Sequence, residues 1–395
     1  MAGTTESGAR AGSGRRVRGV AAVAGACLLG VLACAPKTLI LPGGAPAGGT
    51  WLQPSGAADG TGAAPAGPAP PLRPLWRQDA GKPPVGGPLL DGRLVLQLTG
   101  ESRLVAYEAR TGARIGRRGF AEDWCAPVAA AGPDGALLVA SLAGDKPQVR
   151  VYDRGARRWL WRLGLAACAA AAARGDTLVV AAESGEVVAL AAADGAELWR
   201  WRGPAMYAVS PSWEGDRICA ASVRGHVALL AASTGRLQWE TTVGQGVRAR
   251  PSMTAEAVFV STSASEVVCL DRDTGQVRWR TAVGGLLSGV SVAPEVVLVG
   301  SSDFGVYGLS RDTGRVLWRY DTGGVVRGAP ALVGPWAYAA GGAGEVVALE
   351  VASGALEWRA SLDGPALTPV SAGAGLIAVT TQTGTVHAFG QEVER

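Results

Sequence analysis

The chain has 395 residues, with 37 Lys and Arg against 33 Asp and Glu, and 13 Trp and 58 Gly. Four of the arginines and one glutamate lie before Cys34, so the rest carries 33 basic against 32 acidic residues. So even a balance, with no basic run, argues against nucleic acid as a partner. No apolar stretch after Ala33 is long enough to span a membrane.

In chain order, Arg10, Arg15, Arg16 and Arg18 precede an apolar stretch from Val20 to Ala33. A basic start and a short apolar core predict an export signal over residues 1–33. It ends in Val31-Leu32-Ala33-Cys34, which resembles a bacterial lipobox with Cys34 as the lipidated residue. That resemblance implies a lipid anchor and, with Ala35 rather than Asp next, an outer-membrane location facing the periplasm. Residues 34–71 are rich in Pro, Gly and Ala and read as a flexible or partly extended tether. Trp51 and Leu52 interrupt it without explanation, and a docking patch is one reading.

From residue 72 to 390 the chain repeats itself. Trp76, Trp159, Trp199, Trp239, Trp279, Trp318 and Trp358 fall on one register, with Gly116 in the slot where Trp is missing. The steps are 40, 43, 40, 40, 40, 39 and 40 residues. A period of that size signals stacked supersecondary units. Before most of these tryptophans comes a turn such as Thr234-Gly235, Thr274-Gly275 or Thr313-Gly314, and Thr111-Gly112 keeps the turn ahead of Gly116. Before the turn lies an apolar run bounded by a small or polar residue, as in Gly185–Leu190, Gly225–Leu230 and Ser265–Leu270. A second run precedes each, as in Thr177–Val180 and Ala257–Val260. Short β-branched runs of this kind predict strands buried on both faces. Small residues, often after a proline (Pro127, Pro211, Pro251, Pro330, Pro369), open the first strand.

Each unit is therefore four strands, and radial repetition of such units makes a β-propeller, an all-β fold. The third strand occurs eight times, starting near Arg103, Gln148, Gly185, Gly225, Ser265, Gly305, Gly344 and Gly384. The Trp register starts one strand early, at Trp76, and the chain ends without an eighth. An eight-bladed ring in which Pro74–Gln78 completes the blade built from Ala366–Phe389 accounts for both facts. It leaves no open edge. Residues 391–395 form a short tail.

The search for chemistry finds little. His226 and His387 occupy third-strand positions of different blades, and Glu186, Glu266 and Glu345 recur at one repeat position. No metal-binding, phosphate-binding or nucleophile motif appears. Cys219 and Cys269 read as buried apolar residues. Cys125 and Cys168 open neighbouring blades, and the sequence leaves open whether they are bonded.

The unit from Asp271 through Thr274 and Gly275 to Trp279, preceded by Cys269, resembles the tryptophan-docking repeat of pyrroloquinoline-quinone-type propellers. The resemblance covers all of the folded chain and implies that each Trp packs on the turn of the adjacent blade. Within that superfamily the chain is most similar to the BamB family of outer-membrane lipoproteins. That implies a non-enzymatic scaffold without cofactor or metal, a monomer within a complex. Its implied partners are the outer-membrane barrel insertase and nascent β-barrel proteins. The alternative is a quinone- and calcium-dependent dehydrogenase, whose adjacent cysteine pair and long insertions this chain lacks. A third reading is a cell-envelope ligand-binding or protein-binding propeller unrelated to barrel assembly. In the BamB family a loop before a mid-ring blade carries Leu and Arg that grip the barrel subunit. The matching stretch, Gly203–Pro211, has no arginine and offers Met206 and Tyr207 as anchors. Arg248 and Arg327 lie three residues before first-strand prolines, a slot that holds Trp124 in another blade. These five are the candidate contact residues.

Overall fold

The structure is a computed structural model that describes residues 50–391 except 121–123, 133–135 and 144. The leader, Cys34 and residues 392–395 lie outside the described residues. Among the described residues, thirty-two strands form eight antiparallel sheets of four, an eight-bladed β-propeller. Blades 1 to 7 span 89–119, 129–164, 172–202, 212–242, 252–282, 287–321 and 331–361. Blade 8 takes three strands from 371–390 and its outer strand, Arg73–Asp79, from the other end of the chain. Arg73 pairs with Gly390 and Asp79 with Thr385, so the ring closes with a strand from each end of the fold.

Side-chain size sets the place of each strand. First strands are two to six residues long and mostly small, as in Ala129–Ala131, because eight of them crowd the axis. Third strands such as Glu186–Ala191 and Glu266–Asp271 bury all four central residues, since a neighbouring blade covers each sheet face. Each fully buried Val or Leu there contributes roughly 1.5–3 kcal/mol. Outer strands alternate with solvent, as in Glu197–Arg202.

A bulge in each outer strand aims the tryptophan. Leu190 pairs with Glu197 and Ala189 with Trp199, leaving Leu198 unpaired and exposed. The bulge turns the indole toward the next blade. Its Nε1 then donates to a backbone carbonyl there: Trp76 to Ala109 (2.7 Å), Trp161 to Ala192 (2.8 Å), Trp199 to Ala232 (2.7 Å), Trp239 to Arg272 (2.7 Å), Trp279 to Arg311 (2.8 Å) and Trp318 to Val351 (3.0 Å). The ring lies flat on the turn glycine of that blade. A Cβ added to Gly275, at φ +71°, would come within 2.6 Å of Trp239.

Two members of the expected tryptophan register differ. In blade 2 it is Trp161, not Trp159, that docks, because Tyr152 pairs with Trp159 and Val151 with Trp161 across the bulge. Counting four residues on from Gly155 leads to Trp159, but the residue at the positive-φ turn position of this blade is Arg157 (φ 56°). Trp358 has no turn to dock on, since blade 8 joins its last two strands from opposite chain ends. It packs edge-on against Phe389 at 5.3 Å instead.

Residues 50–72 overturn the expectation of a free tether over that stretch. Trp51 is 2% exposed, so it is a core residue and not a surface docking patch. The strap from Trp51 to Ala64 passes the inner strands of seven blades in turn. Backbone N–H groups of Leu90, Ala130, Ala173, Trp213, Met253, Val292 and Leu332 donate to it. Their acceptors are the carbonyls of Trp51, Leu52, Ala58, Asp59, Thr61 and Gly62, and the Gln53 side chain for Ala173. The donors stand 40, 43, 40, 40, 39 and 40 residues apart, one equivalent position per repeat. The inward edge of each inner strand would otherwise leave these donors unpaired, a cost of about 1–3 kcal/mol for each one buried. The strap fits because of its glycines. A Cβ on Gly60 would sit 2.6 Å from the Pro251 carbonyl, and one on Gly62 2.6 Å from Ser291 Oγ.

Candidate binding face and the closed channel

Four-stranded blades connected in order put two kinds of loop on one face of the ring: the interblade loops and the turns between second and third strands. The turns between third and fourth strands, which carry the Thr-Gly sequences, lie on the other. All five candidate contact residues come from interblade loops and so share the first face.

They divide by burial. Met206 is 42% exposed, and Arg248 and Arg327 are exposed. Trp124 and Tyr207 are buried, at 7% and 0%, so neither is an available anchor. Trp124 packs at a tilt against Phe120, with ring centroids 4.7 Å apart. Tyr207 meets Trp201 edge-on at 5.3 Å and donates to Glu240 at 3.2 Å. Burial and the Glu240 charge both push the Tyr207 hydroxyl pKa up, so it stays a neutral donor.

Sequence reasoning missed the apolar partners on this face. Val223, Leu286 and Phe304 are 42%, 63% and 45% exposed. Val223 and Phe304 sit in second-to-third-strand turns of blades 4 and 6, and Leu286 in the loop leading into blade 6. Val223 N donates to Met206 O at 3.3 Å, and Ser302 N to Leu286 O at 2.9 Å. Two apolar knobs result, Met206 with Val223 on blade 4 and Leu286 with Phe304 on blade 6. Arg248 lies at the intervening blade and Arg327 at the next. Turns that hold small or polar residues in the other repeats are the signal that could have located these residues.

The two histidines serve their own blades. His387 Nε2 lies 2.8 Å from Asp363 Oδ1, and His226 Nδ1 3.5 Å from Glu240. Among the described residues no group of three His, Cys, Asp or Glu could hold a metal ion. Cys125 and Cys168 form a disulfide across blades 2 and 3, with Cα atoms 5.1 Å apart. Cys219 and Cys269 are free and buried, and burial pushes both thiols up, Cys269 to about 12.

One end of the central channel is filled. Arg250, 8% exposed, reaches inward from just before the first strand of blade 5. Its guanidinium donates to the carbonyls of Pro54 (2.7 Å), Ala58 (2.5 Å) and Pro211 (3.0 Å). Burial pulls its pKa down to about 10, with the Asp59 carboxylate opposing, so it remains charged at neutral pH. Ser252 Oγ adds a 2.8 Å bond to the Gly60 carbonyl. The equivalent positions before the other first-strand prolines are Ala126, Ser210, Ala329 and Thr368, so an arginine there was a visible departure. The described residues do not suit a calcium–quinone pair: strap backbone and the Arg250 guanidinium occupy this end, with Asp59 as a lone carboxylate and no group of three acidic, His or Cys ligands among them.

A family model described as outer membrane protein assembly factor BamB matches residues 73–200, 100–320, 223–365 and 304–392. No curated protein matches. Among solved structures, BamB from Moraxella catarrhalis aligns with a TM-score of 0.65 at 16% identity, over 81% of this chain and all of that one. The quinohemoprotein alcohol dehydrogenase ADHIIG from Pseudomonas putida HK5 aligns at 0.70 with 11% identity, over 91% of this chain and 84% of that one. A europium-containing methanol dehydrogenase aligns at 0.69 with 11% identity, over 87% and 98%. Identities this low establish the propeller fold alone.

Proposed function

We infer the function from one premise: the chain belongs to the family described as outer membrane protein assembly factor BamB. The protein is a non-enzymatic scaffold, anchored through a lipid on Cys34 to the periplasmic side of the outer membrane. It binds the barrel-insertion machinery and aids assembly of β-barrel proteins.

The observation that carries this reading is the interblade-loop face of blades 4 to 7. There Met206, Val223, Leu286 and Phe304 are exposed beside Arg248 and Arg327. Exposed apolar side chains and exposed arginines on one face are the composition of a protein-binding patch, in which a few anchors carry most of the energy. Arg248 and Arg327 take the part that the family's loop arginine plays, from neighbouring blades.

The test is a crosslinked pull-down from detergent-solubilised envelopes. The wild-type chain recovers a barrel insertase, with crosslinks on the loops of blades 4 to 7. Met206→Glu together with Leu286→Glu lowers that recovery at least about tenfold, as loss of two anchors of ~1–2 kcal/mol each requires. Recovery unchanged in the double variant overturns the choice of face. Absence of any insertase from the wild-type sample overturns the scaffold reading. Cys34→Ala releases the protein from membranes; retention contradicts the anchor. A calcium- and quinone-supplemented sample that gains quinone absorbance and alcohol oxidation supports the dehydrogenase alternative instead.

A further inference from the structure

The charge of the ring is unevenly placed. Residues 103–164, the outer half of blade 1 and all of blade 2, hold eleven Lys and Arg against six Asp and Glu. The rest of the chain after Ala33 holds twenty-two against twenty-six. The near-neutral total hides a basic sector facing an acidic remainder.

Pairing is uneven as well. On blades 3 to 6 most arginines of the outer rim are matched: Arg200 with Glu186 and Glu197, Arg278 with Asp271, Arg280 with Glu266, Arg311 with Glu256 and Arg319 with Asp321, while Arg202, Arg236 and Arg315 stand singly among acidic neighbours of a net acidic sector. On blades 1 and 2, Arg110, Arg114, Arg117, Arg157, Arg158 and Arg162 are exposed. Among the described residues none of these six has an ion pair or side-chain hydrogen bond. All six lie on the outer strands or on the turns that lead into them. Half-buried Phe120, Trp159 and Leu160 stand among them. Two further guanidinium groups are laid on aromatic rings, Arg118 4.9 Å from the Tyr152 centroid and Arg150 4.7 Å from the Trp159 centroid.

We propose that this rim of blades 1 and 2 binds the anionic headgroups of a phospholipid surface. Unpaired arginines interleaved with Trp, Phe and Leu match a membrane interface, which offers phosphates and a shallow apolar layer together. The patch lies on an outward rim, not in a cleft, as contact with an extended surface demands. The chain joins the ring at blade 1, where Trp51 pairs with Leu90 of the inner strand. Trp51 stands seventeen positions after Cys34, a length that reaches about 60 Å when fully extended. Choosing a membrane over an acidic protein rests on the anchoring at Cys34. The orientation that follows lays blades 1 and 2 against the bilayer and leaves the loops of blades 4 to 7 free for a protein partner.

The experiment is flotation of the full chain with vesicles of phosphatidylcholine alone or with added phosphatidylglycerol. Binding to the neutral vesicles measures what the apolar N-terminal stretch contributes, and this is common to all variants. Phosphatidylglycerol increases binding, and about 1 M salt, where the screening length is about 3 Å, removes the increase. Arg117→Glu with Arg158→Glu lowers the increment about tenfold or more, as loss of two surface arginines implies. Arg236→Glu with Arg315→Glu makes the same charge change on blades 4 and 6 and leaves it intact. A circular dichroism melt shows whether each variant is folded, and Arg117→Gln with Arg158→Gln repeats the test with a milder change. No increment from phosphatidylglycerol, or equal loss in both pairs, overturns the proposal. Loss of a captured acidic protein with the increment absent assigns the patch to that protein instead. Because these vesicles need no acyl group on Cys34, failure here is separable from failure of the anchor.

Discussion

The junction between blades 4 and 5 and the junction between blades 1 and 2 solve one packing problem in two ways. In the first, Trp239 lies on Gly275 and donates to the Arg272 carbonyl. In the second, the tryptophan position is Gly116 and the facing turn position is Arg157. The two changes belong together. An indole packed at 2.6 Å from a virtual Cβ permits only glycine beneath it. With no indole above, the turn can hold a long side chain even at positive φ. The space is refilled by Phe120, Trp124, Tyr152 and Trp159, with centroids 4.7–6.4 Å apart, and the next junction is tied by Cys125–Cys168. Tryptophan and turn glycine are thus one unit split across two blades, and where it is lost the rim is free to diverge.

The regular junction is expected to be the more sensitive of the two to substitution. Trp239→Ala removes a 9%-exposed indole and its hydrogen bond, and is expected to cost about 3–5 kcal/mol in chemical denaturation. A loss under 1 kcal/mol would mean that the docking indole is dispensable. Next comes the disulfide. Cys125→Ser with Cys168→Ser opens a link across 43 residues, and is expected to cost about 2–4 kcal/mol under oxidising conditions. The same denaturation midpoint under reductant should shift in the wild type and not in the variant.

Gly275→Ala should destabilise by about 2 kcal/mol, because the methyl meets Trp239 at a positive φ. Arg157→Gly should stabilise by about 0.5–1 kcal/mol, since it relieves a non-glycine residue at φ 56° with no ring above it. Equal effects at both sites would contradict the coupling of turn and indole.

The smallest effect concerns pH. Arg278 bonds Asp271 at 2.6 Å, and this, with bonds from Thr274, lowers the Asp271 pKa to about 2. A depressed carboxylate contributes stability that is present above the unfolded value of about 3.9 and is lost as pH falls toward 2. Asp271 is partly exposed, so screening limits the contribution to about 1 kcal/mol or less. Asp271→Asn should lower stability at pH 7, and the gap to the wild type should close by about pH 2. A gap that persists there would assign the effect to turn geometry and not to charge.

The sequence alone determined the blade count, the four-strand unit and the closure of the ring by Arg73–Asp79. These follow from periodicity, because each repeat must bury the same apolar strands against its neighbours and so carries the same pattern. Met206, Arg248 and Arg327 were readable as departures from that pattern on one face. What departs without a local pattern was left to the tertiary structure. Trp159 and Trp161 lie in one outer strand, and only the bulge between them decides which reaches the next blade. Trp124 and Tyr207 look like loop residues until neighbouring aromatics cover them. The strap at Trp51–Ala64 has a composition suited to a tether and no periodicity. Its order comes from seven backbone donors spread over about 240 residues of chain, Leu90 to Leu332. Backbone donors are the same in every sequence, so their placement around a closed ring is decided by the assembled fold.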